Sequence, residues 1–328
     1  MTALPQQKVE LPKAAKPPMQ LLAYAGEASS FYVLYLKILF LSILTLGFYR
    51  FWGKTNLRQY EWSNVKIFRE PFLYLGTGME LFKSFVRFVL FVILPLAALS
   101  AAIKFLARDN EFVLFGASAS AAIFFFAVVH AAKFMGLRYR IGRTSWRGIR
   151  FELRGSAKTY MKLKIKYAIL NLLTLGLYKP FSDVAILKFG IEKTRFGTQP
   201  FRYAGTVRDL QKAYYMAWLL LLPTLGFSIF WYKAKYMRQI AARTTLGTLH
   251  FRFSMGGGEY LRFVVGNVLM ILFSLGLAYP YIVHRRMIFY TTRLTIHGAI
   301  NEDSIAQAGD MQGSEGAELS LGIDDFGF

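Results

Sequence analysis

Four histidines, His130, His250, His284 and His297, are scattered along the chain, and no two have the spacing of metal ligands. There is no cysteine, which excludes disulfides, thiolate metal sites and cysteine nucleophiles together. Gly256-Gly257-Gly258-Glu259 has the glycines of a phosphate cradle but lacks the Lys-Ser/Thr that would hold phosphates, and reads as a flexible joint. No Ser/His/Asp set stands out, so no catalytic residue, metal or cofactor is expected. Two polar groupings remain. Asn171 and Thr174 lie in one apolar run and Asn267 and Ser274 in another. Such groups need partners in hydrocarbon, and helix-to-helix hydrogen bonding competes with an intramembrane polar site. Arg143, Arg147 and Arg150 lie in the most basic loop, 135–160, where seven cations face the single acid Glu152. There they would attract anionic lipid at ~1 kcal/mol per charge.

A repeat positions these residues. Ser/Thr-Leu-Gly occurs four times near the end of an apolar run: Thr45-Leu46-Gly47, Thr174-Leu175-Gly176, Thr224-Leu225-Gly226 and Ser274-Leu275-Gly276. The last three glycines are 50 residues apart, a register that argues for a repeated unit. Five residues after each glycine comes an aromatic (Trp52, Phe181, Trp231 and Tyr281), read as an interface anchor. Phe72, Phe201 and Phe251 stand 25 residues beyond the first three glycines. Thr144…Phe151 recurs as Thr194…Phe201 and Thr244…Phe251, so residues 135–160 look like the tail of a further unit without the tripeptide. Gly148, Gly197 and Gly247 each precede a short alternation of apolar and charged residues, the pattern of a small hairpin or single strand. Phe227, Phe230, Trp231, Ala234, Met237 and Ala241 fall on one helical face, which predicts an amphipathic helix lying in the interface plane.

Of 328 residues, 55% are hydrophobic and 18% charged, against about a quarter charged in soluble domains. Apolar runs at 31–52, 82–106, 112–134, 165–181, 213–232 and 260–283 predict an all-α multi-pass membrane protein with about six hydrophobic helices. These form tandem units of ~50 residues with short interfacial helices and small β-hairpins or strands between them. Residues 1–23 read as a disordered lead-in rather than a cleaved signal peptide, 24–300 as the integral membrane domain, and 301–328 as an acidic disordered tail. The net charge of +21 sits on cations that flank the apolar runs. The expected partner is therefore the lipid bilayer, with anionic lipids, and not nucleic acid.

Two topologies compete. If all six runs cross, alternate loops carry 17 and seven cations, which puts the more basic set inside and the N-terminus outside. If the Thr-Leu-Gly runs instead dip in and return, four basic loops and both termini share the cytoplasmic side, leaving only 107–111 outside. Small strands could then pair into one sheet, which they can do only on a common side.

Leu-Thr-Leu-Gly with Tyr49 or Tyr178 two residues on, and Phe-x-Tyr-x-Gly at Phe72-Leu73-Tyr74-Leu75-Gly76 and Phe201-Arg202-Tyr203-Ala204-Gly205, resemble the YjgN-like family. The resemblance runs over about 24–300. Later copies drift, with Ser228 and Ala278 in place of the tyrosine and Met255 where a glycine is expected. It implies a multi-pass protein of the bacterial inner membrane and brings no catalytic residues. Two functional readings follow: a membrane-surface protein that binds lipid or a partner and organises the envelope, or a small-molecule transporter built from tandem repeats. Against transport, no Asp or Glu lies within the apolar runs, and Asp183 is the only carboxylate near such a position.

Overall fold

The computed structural model describes residues 19–106 and 110–298. The chain is built from five copies of one unit: strand, helix, tip, helix, strand. The first contains β1 (Met19–Leu21), β2 (Ala23–Tyr24), α1 (Ala28–Leu44), α2 (Arg50–Asn64) and β3 (Val65–Ile67). The second contains β4 (Glu70–Tyr74), α3 (Gly78–Phe88) continuing through a π turn (Val89–Ile93) into α4 (Leu94–Leu106), then α5 (Glu111–Gly142) and β5 (Thr144–Trp146). The third runs β6 (Ile149–Leu153), α6 (Ala157–Leu173), α7 (Lys179–Glu192) and β7 (Thr194–Phe196). The fourth runs β8 (Gln199–Tyr203), α8 (Val207–Leu219), α9 (Ser228–Arg243) and β9 (Thr244–Leu246). The fifth runs β10 (Leu249–Phe253), α10 (Gly257–Phe273), α11 (Tyr279–Thr291) and β11 (Leu294–His297).

The two strands of each unit pair antiparallel, as in Tyr74 opposite Thr144, Leu153 opposite Thr194 and Tyr203 opposite Thr244. Successive units are joined by tight hairpins such as β7–β8 and β9–β10. The sheet has eleven segments in the order β1-β11-β10-β9-β8-β7-β6-β5-β4-β3-β2. Its two ends are one stretch of chain interrupted at Leu22: β1 pairs with β11 and β2 pairs with β3. The sheet therefore closes on itself as a ring of ten strands with no open edge among the described residues, which removes the aggregation hazard of a free edge. The helices close the same circle. The second helix of each unit packs on the first helix and first strand of the next, and α11 packs on α1 and β2.

This corrects the all-α expectation: helices dominate, but short strands separated by 40 residues or more build the ring that organises them. It also separates the two topologies by length: six crossings would need six long apolar helices, the dip-and-return path two. Only two helical stretches among the described residues are long and apolar enough to cross a bilayer, Gly78–Phe105 and Glu111–Gly142. The other apolar runs are broken at Ser/Thr-Leu-Gly, where an outgoing helix of 13 to 17 residues turns back into a returning one. At about 1.5 Å per residue each outgoing arm reaches about 20–26 Å, short of a ~30 Å hydrocarbon core. Residues 19–21 and 23–24, inside the stretch read as a lead-in, are strands. Residues 1–18, most of the 107–111 turn and the acidic tail lie outside the described residues.

Candidate functional site

Each tip is made by the same bonds. Leu46, Leu175, Leu225 and Leu275 hold φ between 48° and 51°, and the glycines that follow lie between 85° and 89°. The glycine amide donates five residues back, from Gly47 to the Ser42 carbonyl (2.6 Å) and from Gly226 to that of Leu221 (2.7 Å), the long closing bond of a Schellman turn. Thr45, Thr174 and Thr224 each donate Oγ1 to the carbonyl four residues back, at 2.7, 2.7 and 2.5 Å. The same oxygens accept the amides of Tyr49, Tyr178 and Ser228, and Ser274 accepts that of Ala278. The hydroxyl thus stitches the end of one helix to the start of the next, and a tyrosine two residues after the glycine is not needed for it. Pro180 and Pro280, in the first turns of α7 and α11, suit a helix start whose amides lack partners.

The aromatics after the tips hold units together. Trp52 lies so close over Gly78 that a β-carbon there would stand 2.6 Å from the indole, and Trp231 covers Gly257 in the same way at 2.5 Å. Both glycines open the first long helix of the next unit. Glycines 256–258 are accordingly a built helix start rather than a flexible joint, with the Glu259 carboxylate accepting the Gly256 amide. Phe181 and Tyr281 occupy the matching places in α7 and α11. The helix expected to lie in the membrane plane is the returning arm α9. Its Ala234, Met237 and Ala241 pack against Phe253, Met255 and Phe263 of the next unit, not against lipid.

Asn171 and Asn267 do not share a partner. Asn171 Nδ2 donates to the Tyr167 carbonyl (2.8 Å) and to Ser182 Oγ across its own helix pair (3.2 Å). Asn267 Oδ1 accepts from Arg285 across another pair (3.3 Å). Thr174 and Ser274 are taken up by the tips. The basic loop is likewise divided. Arg143, at the helix end of the ring, bonds Glu80 at 2.7 Å. Arg147 sits at the far turn with φ 51°, bonds Glu70 at 2.7 Å and lies 4.6 Å over the Trp146 ring. Arg150 faces outward from β6, on the same outer surface as Lys66, Arg195, Arg202 and Arg252.

The Arg143–Glu80 pair belongs to a device that the sequence did not reveal. Thr77–Glu80, Thr206–Asp209 and Gly256–Glu259 cap the first helix of three units, and Arg143, Arg243 and Arg293 from the end of each returning helix reach the same carboxylates. The spacing of a capping box, Thr-x-x-Glu, was the signal available for it.

Inside the ring the side chains are apolar. The paired residues Phe72–Trp146, Phe151–Phe196, Phe201–Leu246 and Phe251–Ile296 point inward, and Leu22 and Ile67 complete the circle. Phe72, Phe151, Phe201 and Phe251 follow one another around the wall with centroids 6.2–6.4 Å apart. They enclose a cavity of about 500 Å³ running from Phe68 and Leu249 at the turn end to Trp62, Arg140 and Met287 at the helix end. That is the size of a small-molecule site. The hydroxyls on its wall are already bonded: Thr144, Thr194 and Thr291 donate to the carbonyls of Arg140, Gly190 and Met287. No cluster of His, Asp or Glu suited to a metal ion occurs among the described residues.

Comparison with known proteins places these features in a family. The sequence matches DUF898, described as a bacterial protein of unknown function, over residues 19–227 and 215–321. Inner membrane protein YjgN of Escherichia coli O157:H7 is 23% identical over 250 residues, covering 65% of this chain and 60% of the relative. The protein of the same name from Salmonella typhimurium LT2 is 28% identical over 160 residues, 48% of this chain and 36% of the relative. The chain thus spans less than two thirds of the length of the curated relatives it matches. No solved structure matches it.

Proposed function

This chain belongs to the DUF898 family, with distant homology to inner membrane protein YjgN, and we propose that it is a lipid-binding protein of the inner-membrane surface. In this reading the strand ring lies at the membrane face, four helix pairs dip into the near leaflet, and the 78–142 pair crosses. The observation that carries it is at the tips. A leucine with φ near 50° costs about 1–2 kcal/mol relative to an ordinary helical conformation. Yet all four tips keep one, with 81–92% of each leucine exposed. Burying a leucine side chain in hydrocarbon returns about 1.5–3 kcal/mol, so immersion outweighs the strain and solvent exposure does not. Exposed Leu172, Leu173, Leu222, Leu272 and Phe273 continue the same surface.

Of the three loop cations, Arg150 on the outer wall, with Lys66, Arg195, Arg202 and Arg252, supplies the attraction to anionic headgroups, while Arg143 and Arg147 are paired with Glu80 and Glu70 at opposite ends of the ring. A permease would need a shared polar site, and Asn171 and Asn267 being bonded within separate helix pairs supports the lipid-binding reading instead. Single cysteines at 46, 175, 225 and 275, labelled with a nitroxide in reconstituted protein, test the disposition. All four should be more accessible to oxygen than to a water-soluble nickel chelate, at one common depth. Aqueous accessibility at two or more tips would reject it.

A further inference from the structure

We propose that the cavity of the strand ring binds the hydrocarbon chain of an acidic amphiphile, its tail along the ring axis and its acid group at the helix-end mouth beside Arg140. The proposal deepens the lipid-binding reading above and rests on it. Three features specify the ligand. The wall is apolar along its length, and its threonines are spent on their own backbone, so the buried part of the ligand carries no polar group. The wall is contributed by every unit and runs from the turns to the helices, a shape for an extended chain. The polarity is all at one end. Arg140 lines the mouth, and Glu61 just outside it stands in the field of Arg286, Arg58 and Arg140, three cations to one acid. The mouth lies on the side from which the helix pairs project, and in the lipid-binding reading that side faces the leaflet.

The same chemistry has two sources, a free fatty acid or one chain of an anionic phospholipid. Full-length protein in detergent is titrated with stearic acid dibrominated near its methyl end, and separately with phosphatidylglycerol bearing the same brominated chain. Trp146, on the cavity wall, is the reporter. We expect saturable quenching of tryptophan emission that drops in Trp146→Phe, a change that preserves most of the volume, and is largely absent once Trp62, at the helix-end mouth of the same cavity, is also phenylalanine. Arg140→Gln should weaken the acid about tenfold or more and leave its methyl ester unchanged. Quenching by the free acid alone, or by the phospholipid as well, identifies the source and supports the site in either case. No saturable quenching by either probe, or equal quenching in wild type and Trp146→Phe, overturns the proposal. Tip accessibility is measured at residues remote from the ring, so that result can stand or fall separately.

Discussion

Tyr203 lies over Gly205 so closely that a β-carbon on the glycine would overlap the phenol, and Tyr24 over Gly26 and Tyr74 over Gly76 repeat the contact. This is the physical content of Phe-x-Tyr-x-Gly: the phenylalanine faces the cavity, and the tyrosine, two residues on along the same face, covers the glycine. The drift at Phe253–Met255 follows from it. Met255 is buried in the packing of Phe253 and Phe263, so that corner is filled by a side chain rather than by a ring lying over a glycine. Gly205→Ala should destabilise the protein by about 1–3 kcal/mol through overpacking. In a Tyr203→Ala background most of that cost should vanish, and a thermal-melt double-mutant cycle in detergent reads the coupling.

The capping carboxylates carry a pH signature. Burial works to raise Asp209, but the Thr206 amide and Arg243 outweigh it and hold the group below its ordinary value of 3.8. The Gly256 amide chiefly holds Glu259 below 4.5. Their stabilisation is therefore complete above those ordinary values and lost as pH falls through the depressed ones. Asp209→Asn should cost about 1 kcal/mol near neutrality and flatten the loss of stability below about pH 4, in melts recorded across that range.

At the level of the element, the Thr-Leu-Gly break was legible because it is local: a hydroxyl, a residue at positive φ and a glycine five residues past a carbonyl. Its consequence stayed open: apolar residues on both arms make helix plus tip plus returning helix read as one run, as in 31–52, so six crossings and a dip-and-return path competed, and only two helical stretches among the described residues are long enough to cross. The amphipathic face of α9 was correctly seen, but periodicity cannot say whether protein or lipid covers it. The two substitutions available at a tip should separate conformational strain from immersion. Gly226→Ala has no atom within 4 Å to meet, so its cost should come from φ alone, about 1–2 kcal/mol in detergent melts. Leu225→Asn, which tolerates positive φ, should leave those melts nearly unchanged yet make the tip shallower in bilayers by nitroxide accessibility. Equal effects of the two substitutions on both readouts would contradict this division.

At the scale of the whole molecule, five units close a circle because the first lends its opening strand to the last: β1 covers the place beside β11 that a hairpin fills at the other four junctions. The 50-residue register announced the repeat, and the alternations announced the strands. The ring was hidden because its closing junction is split between residues 19–24 and 294–297, and the pairing of Gln20 with Ile296 leaves no local trace. The cavity was hidden with it, although Phe72, Phe201 and Phe251 on its wall were conspicuous by their spacing. The unit without the tripeptide is the one with the long helices, so the exception to the motif marks the pair long enough to cross a bilayer.

A ring at one membrane face requires that each helix pair leave that ring and return to it on the same side. The chain lacks cysteine, so single cysteines at the exposed turn positions Arg69, Thr198 and Thr248, and at Asn110 at the start of α5, can be tested in intact cells with a membrane-impermeant thiol reagent. The three turn cysteines should react alike, all shielded until the cells are opened, with Asn110 alone labelled from outside. Thr198 and Thr248 reacting from opposite sides of the membrane would mean that successive units cross it in turn, and the ring at one membrane face would be wrong.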